Sequence, residues 1–103
     1  MIIAIATNNT VAIEEPEDFR KFKVAVAQPA SAYEAVAKSN PEIVAFDDAE
    51  TAWVSVAALK GWEGLKEAPA WQEGLDAMIE KARPYGWISP DGRSIKAHVE
   101  WLG

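Results

Sequence analysis

The sequence predicts an α+β fold in two layers, an antiparallel sheet with helices on one of its faces. Three observations predict it. Short β-branched runs with two-residue alternation stand at both ends of the chain, MIIAIAT and SIKAHVEW. One long stretch, from Trp71 to Ala82, repeats its apolar residues at helical spacing. The 103 residues are 50% apolar, enough for one modest core in one domain spanning residues 1–103. Because 19 of the apolar residues are Ala, which bury little area each, the large side chains must carry that core, and five of them are Trp.

The first two elements are MIIAIAT and TVAIEE, strands joined through Asn8 and Asn9, and Asn tolerates the positive φ of a tight hairpin. In EEPEDFRKFK, the acids Glu14, Glu15, Glu17 and Asp18 precede the bases Arg20, Lys21 and Lys23, with Pro16 near the start. That order complements a helix dipole and predicts one or two helical turns on the surface. KVAVAQ reads as a short strand. SAYEAVAKS follows as a helix, with Ser31 and Glu34 at capping-box spacing, Glu34 and Lys38 at i,i+4, and a stop at Asn40-Pro41.

EIVAFDD and TAWVSV are strand candidates, favoured in the second case by Thr51, Val54 and Val56. The competing reading of that second stretch is one helix from Ala49 to Lys60, boxed by Asp47 and Glu50 and stopped by Gly61. From Pro69 the periodicity of Trp71, Leu75, Met78, Ile79 and Ala82 predicts a helix over 70–83, ended by Pro84 and Gly86. Gly74 lies on its apolar face, where glycine costs about 1 kcal/mol relative to alanine, and so points to close approach of a packing partner. WISPDGRSIKAHVEW reads as a final hairpin turning at Pro90-Asp91-Gly92, with an extra short strand around Trp87. Residues 23–101 thus run β, α, β, β, α, β, the split βαβ or ferredoxin-like element order, behind an N-terminal hairpin.

Charge narrows the function. A net charge of -6, with no basic cluster beyond Arg20, Lys21 and Lys23, opposes nucleic acid and anionic membrane surfaces as partners. Without Cys there is no disulfide framework, no thiolate chemistry and no Cys-ligated metal, and one His does not make a typical zinc site. MIIAIA lacks the basic flank, length and cleavage pattern of a secretion signal, so the expected location is the cytoplasm. No G-x-S-x-G, G-x-G-x-x-G or G-x-x-x-x-G-K-[ST] occurs, and no cofactor is expected.

Three constellations remain. Alternation along SIKAHVEW sets Lys96, His98 and Glu100 on one face, opposite Ile95, Ala97, Val99 and Trp101. His98, the only histidine, is the candidate general base, with Glu100 or Asp47 as its partner; an exposed polar strand face is the plain alternative. Asp47, Asp48 and Glu50 form the densest carboxylate group, an acidic turn, an acid–base site or a hard-cation site, the last without EF-hand spacing or a His neighbour to support it. Trp71 and Trp101 belong to the core, while Trp53, beside Ser55, and Trp62 are the expected ligand wall or dimer contact. A sheet clothed on one side is expected to pair into a homodimer through its other face. The expected function is binding of a small apolar or aromatic molecule in a Trp-lined pocket without catalysis. The alternatives are a cofactor-independent isomerase or lyase using His98, and an accessory protein-interaction module.

Overall fold

A computed structural model describes all of residues 1–103. Six strands form one sheet: β1 (Ile2–Ile5), β2 (Val11–Glu14), β3 (Lys23–Val26), β4 (Val44–Phe46), β5 (Thr51–Ser55) and β6 (Ser94–Trp101), in the order β2-β1-β3-β6-β5-β4. Three helices accompany them: α1 (Tyr33–Ser39), α2 (Val56–Lys60) and α3 (Pro69–Ala82). No helix is long and apolar enough to cross a membrane.

The sheet is mixed, which corrects the expected antiparallel one. β1 and β2, β4 and β5, and β5 and β6 pair antiparallel, but β1 with β3 and β3 with β6 run parallel. The ferredoxin-like order is not what forms either, because β6 lies between β3 and β5. β6 is the longest strand, eight residues against three to five for the others, and its Ile95, Ala97 and Val99 are all buried. A strand that alternates over this length has the most ladder and the most core surface to satisfy, and a central position satisfies both.

Register places Ile3, Val24 and Val99 in one row, and Ala52 beside Ala97 and Val54 beside Ile95 in others, all on one face. Against that face pack Val36 of α1, Leu59 of α2 and Trp71, Leu75, Ile79 and Ala82 of α3, one continuous core. Each large apolar side chain removed from water there contributes roughly 1.5–3 kcal/mol. Tyr33, Phe46 and Trp101 close one end of the core as edge-on and tilted rings 5.9–6.3 Å apart. A mixed α+β fold of one six-stranded sheet with three helices is therefore what is found.

The opposite face is polar or small. Its rows are Ile2, Lys23, His98 and Thr51; Ala12, Ala4, Ala25 and Glu100; Ala45, Trp53 and Lys96; Ser55 and Ser94. The large apolar side chains left exposed are Tyr85, Trp87 and Leu102, and none belongs to those rows. Only Ile2 and Trp53 supply large apolar surface on the open face, and both are already half-buried, so the apolar area from which self-association was expected is narrow.

Local structure departs from expectation in three places. Residues 15–22 form turns and bends rather than a helix, with Glu15 at φ 47°; the charge order favours a helix, but Phe19 and Phe22 are drawn toward the core instead. A 3-10 turn, Ala30–Ala32, precedes α1, so Ser31 cannot cap it and no side-chain cap bond forms. TAWVSVAALK is strand and helix in succession: β5 ends at Ser55, whose Oγ accepts the Ala58 N–H at 3.1 Å and starts α2, and Gly61 ends it.

Both predicted turns form. Asn9 takes φ 68° between β1 and β2. At the other hairpin, an Ile88–Ile95 bridge replaces the expected strand around Trp87, and Gly92 takes φ 73°. The Asp91 carboxylate accepts the Ser89 hydroxyl at 2.6 Å and the Arg93 N–H at 3.0 Å. Those two hydrogen bonds, the Ser89 one foremost, hold its carboxyl below the usual aspartate range. A depressed carboxyl stabilises the turn above the unfolded value of about 3.9 and loses that contribution as pH falls through the folded value. The Asp91 carbon is therefore expected to titrate below about 3.9 by NMR, and Asp91→Asn to abolish the acid-dependent loosening of the Ser89–Ser94 turn. An ordinary midpoint would show that the two hydrogen bonds do not persist in solution.

Candidate functional site

β3 begins at Lys23, opposite His98, so the first half of β6 has no β3 residue beside it. Its neighbour on that side is the segment leaving α3, where the Lys96 N–H donates to the Trp87 carbonyl at 2.7 Å. Between Phe22 and Trp87 the sheet is thus notched, and a depression of about 1530 Å³ opens there. Residues 17–22 form one wall and Gly74, Ala77, Met78 and Lys81 of α3 another. Tyr85 and Trp87 form a third, over a floor of Ile95, Ala97 and their neighbours on β6. The volume exceeds the ~300–1,000 Å³ of an enclosed small-molecule pocket because the depression is an open groove.

Tyr85 and Trp87 are the exposed aromatics of this groove, 70% and 49% accessible. The cause is local. α3 runs into a 3-10 turn, Arg83–Tyr85, which Gly86 ends at φ 76°, a left-handed conformation that glycine adopts without strain. The chain doubles back at that residue, and the two rings on either side of it stack at 4.8 Å and 22°.

His98 lines the same groove, exposed on the open face between Lys23 and Thr51. It makes no side-chain hydrogen bond to either expected partner. Glu100 is taken by Lys23, whose Nζ lies 2.9 Å from Oε2. Asp47 accepts the Trp53 indole N–H at 3.2 Å on the far side of β5. Asp48 is a turn residue, its Oδ1 accepting the Glu50 and Thr51 N–H groups at 2.8 and 2.9 Å, while Glu50 reaches the groove beside Thr51. The expected catalytic trio of His98, Glu100 and Asp47 is not brought together as one cluster.

The expected ligand wall is likewise dispersed. Trp53 lies in the open-face row with Lys96, and Trp62 sits in the loop after α2; neither lines the groove. Ser55 caps α2 and borders a smaller depression with Lys60, Gly92 and Arg93. Ser55→Ala is expected to lower stability by about 1 kcal/mol through the lost cap, read by urea unfolding, and to leave any ligand affinity of the large groove unchanged. A loss of affinity without a loss of stability would make Ser55 a ligand contact instead.

The residues that sequence reading missed are Tyr85 and Trp87. A signal for them exists in RPYGW, two aromatics flanking a glycine just beyond a helix end and outside its apolar period. No protein-family model matches the chain, and no curated protein or solved structure is detectably similar to it.

Proposed function

We propose that the chain binds a small aromatic molecule in the groove between residues 17–22, α3 and β6, without acting on it chemically. The observation that carries this reading is the stacked pair of Tyr85 and Trp87, two large rings left accessible at the wall of a notch beside β6. Ring-on-ring contact contributes about 0.5–1.5 kcal/mol beyond area burial, and a flat ligand lying on Trp87 would extend the existing stack. All its walls come from one chain, so the reading does not require the homodimer expected from the sequence.

The enzymatic alternative keeps one observation in its favour, the presence of His98 in the same groove. Against it stands the occupation of both expected acids, Glu100 by Lys23 and Asp47 by the Trp53 indole. The two readings separate in one experiment. Titration with 2-naphthamide, a neutral two-ring probe, is expected to shift the Trp87 indole N–H resonance, and Trp87→Ala to weaken binding about tenfold, or about 1.4 kcal/mol. His98→Ala leaves that affinity intact. Movement of the Trp53 or Trp62 indole instead of Trp87 overturns the placement of the site. Chemical conversion of a bound aromatic that disappears with His98→Ala would replace this reading with the enzymatic one.

A further inference from the structure

Four of the chain's ten basic side chains are held in ion pairs: Lys23 with Glu100, Lys60 with Asp76, Lys66 with Glu63 and Arg83 with Glu80. Of the other six, Arg20, Lys21, Lys81 and Lys96 all line the groove. The remaining two, Lys38 and Arg93, are likewise without an ion pair but lie outside it. Against the groove's three acids, Glu17, Asp18 and Glu50, the four cations that line it leave one positive charge in excess, in a chain whose net charge is -6.

Two of them stand at the aromatic end. Lys96 is directly across the chain from Trp87, its N–H on the Trp87 carbonyl at 2.7 Å. Lys81 is in the last turn of α3, four residues before Tyr85. None of the groove's acids forms an ion pair with them: Glu17 and Asp18 belong to the 17–22 wall, where Asp18 Oδ1 accepts the Arg20 backbone N–H at 3.1 Å, and Glu50 adjoins Thr51. The accessible stacked rings therefore share the groove with two lysines that have no ion pair.

Resting on the binding reading above, we infer that the ligand is an aromatic anion, a planar ring bearing a carboxylate or a phosphate. The ring lies on Trp87 and the negative group between the ammonium groups of Lys81 and Lys96. On the facing wall Arg20 and Lys21 balance Glu17 and Asp18, so the attraction comes from the two lysines and is salt-dependent.

The test uses one ring with three substituents, 2-naphthoate, 2-naphthyl phosphate and neutral 2-naphthamide, by calorimetry on the wild-type chain, on Trp87→Ala and on the Lys81→Gln/Lys96→Gln double variant. Both lysines are surface residues, and far-UV circular dichroism confirms that the variant folds. At low salt, the preferred anion is expected to bind about 10-fold more tightly than the amide, as two partly solvated cations allow. The preference falls to about 2-fold in the lysine variant and in about 0.5 M salt, whereas Trp87→Ala weakens anions and amide alike. Tighter binding of the phosphate than the carboxylate assigns a phosphate monoester; the reverse assigns a carboxylate. Equal affinity for anions and amide overturns this inference while leaving the binding reading in place, as does a preference that survives loss of both lysines. Failure of all three probes to bind defeats the binding reading, and the inference with it.

Discussion

Trp71→Ala is expected to cost about 3–5 kcal/mol of folding free energy, the range for removing a buried Trp from a core. Against a typical total of about 5–15 kcal/mol this is a large share. Trp71 is 6% accessible, packs in the same core as Leu75 and Ile79, and meets the Phe19 ring at 6.2 Å. Its indole N–H donates to the Pro16 carbonyl at 2.8 Å. One side chain thus ties α3 to the irregular segment that joins β2 to β3 and forms a wall of the groove. That segment has few anchors of its own; besides Phe19 and Phe22, the terminal ammonium of Met1 donates to the Asp18 carbonyl.

Trp71→Phe separates the two roles, because it keeps a ring in the core but leaves the Pro16 carbonyl without its donor, a loss of about 1–3 kcal/mol. Urea unfolding followed by far-UV circular dichroism reads both variants, and amide exchange over residues 15–22 reads the local effect. A change below about 1 kcal/mol for Trp71→Ala would show that the site collapses without penalty and that the indole is not the anchor.

Local chemistry explains which parts of this fold were legible. The Asn8-Asn9 turn, the helix read over 70–83 and found at Pro69–Ala82, and the Asp91-Gly92 hairpin each depend on residues within a few positions of one another. Sheet order does not. Nothing adjacent to SIKAHVEW says that it will lie between Lys23–Val26 and Thr51–Ser55, since both pairings join residues far apart in the chain. TAWVSVAALK defeated a single assignment because Thr51, Trp53 and Val54 favour a strand while Ala57, Ala58 and Leu59 favour a helix, and the cap at Ser55 marks the change.

The site followed the same division. Alternation along β6 placed His98 on the open face correctly, but its partner depended on β3, which brings Lys23 to Glu100 and occupies that carboxylate. Trp53 and Trp62 looked like ligand contacts because their surroundings were polar in sequence. Trp87 looked like a strand residue, although only the bridge beside it, Ile88–Ile95, forms. Its exposure arises from the end of α3, the left-handed Gly86 and the notch left by the late start of β3 acting together.

Replacing Gly74 by alanine is expected to have opposite signs in two backgrounds, and this cycle carries the second large effect. In an isolated helix the change gains about 1 kcal/mol of propensity. On α3, however, a Cβ built at Gly74 would stand 2.6 Å from Cε2 and 2.8 Å from Cζ of Phe19, far inside contact distance. The Phe19 ring also meets Trp71 at 6.2 Å, so it must leave its seat or the helix must shift, at an expected overpacking cost of about 1–3 kcal/mol. Gly74→Ala in the wild-type chain is therefore destabilising by up to about 2 kcal/mol. With Phe19→Ala already present the obstacle is gone, and the same substitution becomes stabilising by about 1 kcal/mol. The coupling between the two sites, about 1–3 kcal/mol from urea unfolding of the four proteins, measures the close approach directly. Stabilisation by Gly74→Ala in both backgrounds would mean that Phe19 yields freely and that the glycine is not there to admit it. Because Phe19 and Gly74 both line the groove, the consequence extends to binding: a ring forced off α3 by the new methyl group moves the wall that faces Trp87. The affinity of an aromatic probe should then change in Gly74→Ala, while the Tyr85–Trp87 stack on the other wall keeps its geometry.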